Sequence, residues 1–426
     1  MQDHGSDRVR KRRVFYIPGY DPIHPRRYRE LYRKEGADQA AISGYEIALS
    51  PKTSGGPYGW HVNSTQDGAA VEADIEVLVW SDIVRNSMGK SIVATYAQLV
   101  RTAATYIFSG ALFGLMRLRK GPVIAALYPI FALILQALIG IGIGLALSAI
   151  FLRLIPFFTL NWVLCLALTA ATLALTLRWF RKHDGKFFAY YLMHDYAFTA
   201  RWGGSNPPEL ETRMAEFANR IERAMSEDWD EVLVVGHSSG AHLAVSILAD
   251  LIRENRLPPS SWQKYPGEEL AAGQGGAAPP TLSFLSLGQV VPMVSYLPRA
   301  TRLRADLAYL ATRPEIFWLD VTAPGDGCAF ALCDPVAVSG VAPAGQIHPL
   351  VISAAFTQTL STARWRELRW RFFRLHFQYL CAFDRVGEYD YFRITAGPHT
   401  LAARFAGRAA SKSVITTPAN RFTNIT

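Results

Sequence analysis

The residues best suited to chemistry lie around Ser238, in the segment Gly-His-Ser-Ser-Gly at 236–240. Residues 232–235 form a short apolar run typical of a buried parallel strand, and residues 241–251 carry the apolar spacing of a helix. A serine between them would lie on a turn so tight that its neighbours two positions away must be small. The pattern predicts an exposed nucleophile, with the N–H groups of the helix start facing any oxyanion formed there.

The strand, turn and helix around Ser238 resemble the nucleophile elbow of the α/β-hydrolase superfamily. The resemblance implies a mostly parallel sheet with helices on both faces. It also implies a catalytic triad in the chain order serine, acid, histidine, an acyl-enzyme intermediate, and no metal or organic cofactor. The alternative is a glycine- and serine-rich turn that binds an anion or simply closes the connection.

The acid is expected after Ser238, beyond the end of a later strand. An apolar strand begins at residue 316 and leads into a turn that holds Asp326, which is our favoured acid. Asp320 is expected within that strand, and Asp334, followed by a proline, is the closest rival. The alternative is that Asp326 is an ordinary turn residue, because the sequence Pro-Gly-Asp-Gly is typical of turns.

The base is expected after the last strand, which we predict at residues 349–356. His376 follows that strand on a helical pattern and is favoured, and Tyr379 three positions later could orient its ring. His399, at the end of a predicted strand and turn over 389–399, remains an alternative. His348 precedes the last strand and is disfavoured.

The oxyanion hole implied by the resemblance combines two backbone N–H groups. One is the N–H of Ser239, and the other is expected from Gly19 or Tyr20, in a turn after an early strand that starts at residue 13. His237 and His242 lie too close to the nucleophile in sequence to act as its base, so we expect them to shape the pocket.

Two apolar stretches, 123–151 and 157–177, contain no Asp, Glu, Lys or Arg, and each exceeds the length of about 20 residues that crosses a bilayer. They predict a transmembrane helical hairpin, in which Gly140, Gly142 and Gly144 would let the helices approach. A buried hairpin of a soluble protein is the alternative.

Basic residues flank the hairpin on both sides, and the positive-inside rule therefore predicts that both ends face the cytoplasm. They are Arg117, Arg119, Lys120, Arg178, Arg181 and Lys182. Arg153 lies in the connection between the two apolar stretches, at the other end of the hairpin, and is a weak signal for the opposite orientation. Since the first 13 residues contain no apolar signal segment, we expect a bacterial inner-membrane protein with a cytoplasmic catalytic domain.

The 426 residues carry a net charge of +9, which attraction to an anionic membrane explains better than nucleic-acid binding. Four cysteines show neither metal-ligand nor disulfide spacing. The predicted organisation is a disordered tail at 1–12, a hydrolase domain in two parts at 13–118 and 183–410, the hairpin at 119–182, and a disordered tail at 411–426. Further predicted elements are strands at 45–49, 75–80, 187–192 and 281–287, helices at 91–118 and 208–225, and a loop at 266–280.

Arginines alternate with tryptophan and phenylalanine over residues 361–382. This mixture is typical of an interfacial helix that binds lipid phosphates, although a solvated basic helix is equally compatible. The interfacial interpretation favours a lipid or another apolar acyl ester or thioester as substrate. The alternatives are an acyltransferase with the same triad, a noncatalytic membrane scaffold and, least favoured, a transporter.

Overall fold

A computed structural model describes residues 8–52, 55–56, 58–89, 91–154, 161–258 and 279–426. Its strands form one eight-stranded sheet in the order β2-β3-β4-β1-β5-β6-β7-β8. All neighbours from β4 to β8 are parallel, whereas β3 pairs antiparallel with β2 and β4. The strands are β1 Lys11–Ile17, β2 Glu46–Pro51, β3 Gly59–Gln66, β4 Ala69–Val77, β5 Glu231–His237, β6 Thr281–Leu287, β7 Ile316–Thr322 and β8 Leu350–Ser353.

Helices connect the strands and cover both faces of the sheet. The first nine are α1 Arg26–Ser43, α2 Ser81–Ser87, α3 Ile92–Phe108, α4 Ala111–Leu115, α5 Lys120–Leu154, α6 Asn161–Lys182, α7 Asp184–Phe187, α8 Ala189–Arg201 and α9 Pro208–Ala224. The others are α10 Ser239–Arg253, α11 Val291–Ser295, α12 Thr301–Leu310, α13 Pro335–Val338, α14 Phe356–Thr359, α15 Thr362–Leu368, α16 Phe372–His376, α17 Tyr391–Ala396 and α18 Leu401–Arg404.

The central strands β1 and β5 are apolar on both sides because each side faces a separate core. In β5, Val232 and Val234 belong to the core beneath α9, α10 and α12. Leu233 and Val235 point the other way, into the core that α1 and the carboxyl-terminal helices cover. This alternation follows from the two-residue period of a strand, and it confirms the predicted mostly parallel sheet covered by helices on both faces.

The elements predicted at 187–192 and 91–118 differ from those in the structure. Residues 187–192 were predicted as a strand but lie in α7 and α8, where Asp184 accepts hydrogen bonds from the N–H groups of Tyr190 and Tyr191. A short apolar run fits either element, and here the buried positions continue with helical spacing. The helix predicted over 91–118 is divided into α3 and α4 at Gly110, whose φ of 78° breaks it. Strand β3 was not predicted.

Helices α5 and α6 form the predicted hairpin, and both are long and apolar enough to cross a membrane. Most of their apolar side chains lie on the outside of the protein, unlike those of a core helix. Helix α5 has 35 residues, which corresponds to about 52 Å, well beyond the roughly 30 Å of a bilayer core. Its first turns instead pack on the domain, where Val123, Pro129 and Leu133 are buried and Tyr96 donates to the Leu133 carbonyl.

Only two of the three predicted interface glycines lie between these helices. A Cβ at Gly144 would lie 2.7 Å from Thr169 Cα, and one at Gly140 would lie 3.1 Å from Leu173 Cα. A Cβ at Gly142 would meet no atom within 4 Å, so its predicted role in the contact is wrong. Residues two apart point to nearly opposite sides of a helix, whereas residues four apart share a face.

The segment 411–426, predicted to be disordered, is hydrogen-bonded to the domain. The Asp334 N–H donates to the Ile415 carbonyl at 3.0 Å. The buried guanidinium of Arg304 donates from Nη2 to Asn424 Oδ1 at 2.9 Å. Burying a cation requires acceptors for its fixed N–H groups, and the tail supplies two of them in Asn424 Oδ1 and the Asn424 carbonyl. Such a requirement leaves no periodic pattern in the sequence of the tail.

The prediction of a disordered tail at 1–12 is wrong for residues 9–12, which are bonded to the domain. Strand β1 already includes Arg12, which is fully buried and donates to Glu231 Oε2 at 2.6 Å. The Val9 N–H donates to the Pro398 carbonyl at 2.9 Å. The first seven residues, most of the loop predicted at 266–280 and the connection at 155–160 lie outside the described residues.

Replacing Gly144 with alanine should destabilise the hairpin, because the new methyl group would have to displace the backbone at Thr169. Overpacking of this kind typically costs about 1–3 kcal/mol. The matched control Gly142→Ala places its methyl group in open space and should not destabilise the hairpin, since alanine favours a helix over glycine. Thermal unfolding of the detergent-solubilised proteins would show the difference, and equal melting temperatures would contradict the assigned helix contact.

Candidate active site

Ser238 occupies the turn between β5, which ends at His237, and α10, which begins at Ser239. Its backbone has a φ of 56° and a ψ of −121°, a combination that costs a non-glycine residue about 1–3 kcal/mol. The Ser238 N–H donates to the Leu287 carbonyl at 2.9 Å, which fixes the turn against β6. The serine therefore projects from the carboxyl end of the sheet.

The two glycines of the motif are required by the closeness of the chain at this turn. A Cβ at Gly240 would lie 2.0 Å from the Ile17 carbonyl oxygen, and one at Gly236 would lie 2.7 Å from Ala241 Cα. No side chain fits at either position without moving the backbone. The two glycines of Gly-x-Ser-x-Gly are thus required because β5 lies close to α10 and α10 lies close to the end of β1.

The three residues predicted for the oxyanion hole lie together in the pocket at Ser238. A Cβ at Gly19 would lie only 2.9 Å from the Ser238 Cβ, so this glycine lets the loop after β1 approach the serine. Trp80 Nε1 holds the same loop by donating to the Pro18 carbonyl at 2.9 Å. Ser239 is the first residue of the 15-residue helix α10, and Tyr20 follows Gly19.

Asp326 and His376 are hydrogen-bonded, with 2.7 Å between Asp326 Oδ2 and His376 Nδ1. Tyr379 Oη also donates to Asp326 Oδ2 at 3.0 Å, and the Cys328 N–H donates to Oδ1 at 2.9 Å. Burial alone would raise the pKa of Asp326, but His376 and these hydrogen bonds hold that pKa below its ordinary value. Tyr379 therefore positions the carboxylate, whereas the sequence suggested that it orients the ring.

The two rival acids are used elsewhere in the fold. Asp320 lies within β7, as predicted, and accepts a hydrogen bond from Ser286 Oγ at 2.5 Å. Asp334 caps α13 by accepting from the N–H groups of Val336 and Ala337. Neither contacts His376.

The second ring nitrogen of His376, Nε2, is buried and has no hydrogen-bond partner. It belongs to the same pocket as Ser238, although the serine does not reach it in this structure. His237 Nε2 contacts the His376 carbonyl oxygen at 3.0 Å. Burial and the neighbouring His376 lower the pKa of His237 to about 3, so it is a neutral donor that fixes the backbone of His376.

The other candidate histidines do not meet Ser238. His399 follows α17, in a segment that was wrongly predicted as a strand, and its carbonyl accepts from Arg12 near the start of β1. It therefore lies at the opposite end of the sheet from the serine. His348 is buried just before β8, against the Phe317 ring. His242 is buried inside α10 and is not among the residues that line the pocket.

One pocket residue, Asp195 on α8, was missed by the sequence analysis. It lines the pocket with Ser238 and His376, and burial raises its pKa to about 7, against an opposing effect of His376. The pocket is narrow, with a volume of about 80 Å³, and aromatic side chains form much of its wall. They are Tyr20, Tyr191, Tyr196, Phe373 and Phe377. No pattern marked Asp195, because it reaches the site only through the tertiary position of α8.

Among the described residues, one cluster has the composition of a metal site: ligand atoms of Asp326, Cys328 and His376 lie within 4.8 Å of one another. A metal bound there through His376 Nδ1 would have to replace the hydrogen bond to Asp326. Burial and the carboxylates of Asp326 and Asp195 raise the pKa of the Cys328 thiol, which disfavours the thiolate that a metal requires. The geometry fits a carboxylate and histidine pair better than a metal centre.

Comparisons of the chain with protein-family models, with curated proteins and with solved structures each give no match. The site must therefore be interpreted from its own geometry.

The raised pKa of Asp195 should make stability depend on pH. The folded protein retains this proton up to about pH 7, whereas an unfolded aspartic acid loses it near pH 4. The contribution of Asp195 to stability therefore falls as pH rises through this window. The melting temperature of Asp195→Asn minus that of wild type should therefore be larger at pH 8 than at pH 4.5.

The control Asp38→Asn changes an exposed residue of α1 and should shift the melting temperature equally at both pH values. A pH-independent difference between Asp195→Asn and wild type would contradict the assignment of a buried, proton-retaining carboxyl at the pocket.

Proposed function

We propose that this protein is a membrane-anchored serine hydrolase that cleaves ester or thioester bonds of lipids or other apolar acyl substrates. The observation that carries the proposal is the joint position of Ser238 on a strained turn and the partner-free Nε2 of His376 in one pocket. The hydrogen bond from His376 Nδ1 to a buried carboxylate leaves Nε2 as the nitrogen that can accept a proton. This arrangement also favours an α/β-hydrolase-like fold.

In the proposed mechanism, His376 Nε2 removes the proton from Ser238 Oγ as the oxygen attacks the acyl carbonyl. Asp326 stabilises the resulting imidazolium without taking its proton. The oxyanion is held by the N–H of Ser239 and by an N–H of the Gly19–Tyr20 segment, which lies against the serine. His376 then returns the proton to the leaving alcohol or thiol, and water releases the acyl group through the same base.

Closure of the gap between Ser238 and His376 is part of this mechanism. Hydrogen bonds between catalytic groups are often long before substrate binds and shorten in the reactive complex. A pocket of about 80 Å³ holds little more than a few water molecules, so a substrate must also open it. The opening of the pocket and the approach of His376 to Ser238 can occur together, because Phe373 and Phe377 line the pocket beside His376.

The location of the site favours an apolar substrate. The segment before His376 forms two short helices, α15 and α16, where one interfacial helix was predicted. Trp370 is 72% exposed and Phe372 is 44% exposed, among the exposed residues Arg366, Arg369, Arg371 and Arg374. Exposed aromatics among arginines suit the headgroup layer of an anionic membrane.

An acyltransferase would use the same residues and differ only in the acceptor. Such an enzyme remains the second candidate, because the buried site limits the access of water. A noncatalytic scaffold is less favoured, since the strained backbone of Ser238 would have no function in it. Neither the acyltransferase nor the scaffold requires a metal, a cofactor or nucleic acid.

Reaction with a fluorophosphonate probe should depend on Ser238 and His376. Membranes containing wild-type protein should be labelled, whereas Ser238→Ala should not react and His376→Ala should react at least about 10⁴-fold more slowly. His399→Ala is the matched control, because His399 lies at the other end of the sheet, and it should react at the wild-type rate.

Absence of labelling in folded wild-type protein would overturn the hydrolase proposal. Labelling that survives Ser238→Ala would overturn the assignment of the nucleophile. Analysis of the products with water alone and with added alcohols would then separate hydrolysis from acyl transfer.

The proposed topology places both ends of the hairpin in the cytoplasm of a bacterial cell. A fluorescent protein fused after Thr426 should therefore fluoresce, and alkaline phosphatase fused there should be inactive. Alkaline phosphatase fused after Leu154, at the far end of α5, should be active on the opposite side. The reverse pattern would contradict the orientation.

A further inference from the structure

A second cavity, of about 40 Å³, lies between α3, α4, α5 and α8, beside the catalytic pocket. Its lining is almost wholly apolar, with Ala103 and Ile107 from α3, Leu115 from α4, and Val123 and Ala126 from α5. The described residues around it offer no charged side chain, so it suits hydrocarbon and excludes a polar headgroup.

Only a thin partition separates this cavity from the catalytic pocket. Tyr196 and Met293 line both spaces. Consecutive residues at the start of α5 are divided between them, with Pro122 in the catalytic pocket and Val123 in the apolar cavity. A rotation of one or two side chains would therefore join the two spaces into a channel that leads to Ser238.

The side chains of the partition are held by apolar packing and, among the described residues, not by hydrogen bonds of their own. Met293 has a flexible, unbranched side chain that adapts to irregular spaces. The hydroxyl of Tyr196 makes no hydrogen bond to the described residues, although its backbone carbonyl accepts from Thr199. The backbone is held more firmly, since Tyr106 Oη donates to the Met293 carbonyl at 2.9 Å.

The outer end of the cavity faces the region of the membrane. Ile107 lines the cavity and is also 45% exposed, and the neighbouring Phe108 is 84% exposed. On α5, Ile124 is 62% exposed, next to the buried Val123. This part of α5 precedes the last 21 residues of the helix, which alone are long enough to cross a bilayer at 1.5 Å per residue.

From these positions we infer that the apolar cavity binds the distal part of a single fatty acyl chain whose carbonyl lies at Ser238. From Ser238 the chain crosses the partition at Tyr196 and Met293, and its distal end lies in the cavity toward Ile107. The small cross-section of both spaces selects one slim chain over a ring or a headgroup. The inference rests on the proposed function and adds a substrate class to it, long-chain acyl esters resident in the membrane.

The test compares two alkyl fluorophosphonates that differ only in chain length, a butyl and a decyl compound. Each methylene that enters an apolar site is worth about fourfold in rate, the equivalent of about 0.8 kcal/mol. Wild type should react at least tenfold faster with the decyl probe. Ala103→Leu and Ala126→Leu, which fill the cavity, should lose at least tenfold of the decyl rate and keep the butyl rate within twofold.

Matched controls come from the same two helices, since Ala104 and Ala125 are next to these alanines but do not line the cavity. Ala104→Leu and Ala125→Leu should retain the wild-type preference. Met293→Ala, which thins the partition, should raise the decyl rate, an outcome that misfolding cannot produce.

Equal decyl rates in the cavity-filling and control variants would overturn the acyl channel and leave the hydrolase proposal intact. Failure of the butyl probe to react with wild type would instead remove the nucleophile, and the channel with it.

Discussion

The arrangement of the site depends on the turn at Ser238. Its unfavourable backbone conformation persists because the elements on both sides cannot relax: β5 is buried along its whole length, and nearly all of α10 is buried. The Ile17 carbonyl lies where a side chain at position 240 would be, so β1, β5 and α10 fit only with glycine there. The sheet's central strands thus determine where the serine points.

A second constraint is the cost of burying the carboxylate of Asp326. An isolated charge in such a site would take up a proton, yet the pKa of Asp326 stays below its ordinary value because His376, Tyr379 and the Cys328 N–H surround it. The three donors come from the loop after β7 and from the segment after β8. Holding the charge therefore also fixes the position of the histidine relative to the serine, and electrostatics and packing select one geometry.

The sequence predicted the local features well and the tertiary ones poorly. Strand β5 was found because residues 232–235 form an unbroken apolar run, which is typical of a buried parallel strand. His376 was favoured over His399 but not separated from it, since both come after the last strand and only the folded chain shows that one meets Asp326 while the other contacts Arg12. Asp195 could not be predicted as a site residue from the sequence, because a single aspartate on a helix gains its raised pKa only from its tertiary surroundings.

The position of the hairpin relates the proposed membrane anchor to the proposed chemistry. Helix α5 begins beside the loop that holds Asp326, where a Cβ at Gly121 would lie 3.1 Å from Gly327 Cα, and Pro122 lines the pocket at Ser238. Because the first turns of α5 pack on the domain, the hairpin is joined to the site by packed contacts and not only by a linker. These contacts relate the position of a membrane that received α5 and α6 to the position of Ser238. An anchor that needed only to retain the protein would not require this contact, and its presence favours a substrate that comes from the bilayer.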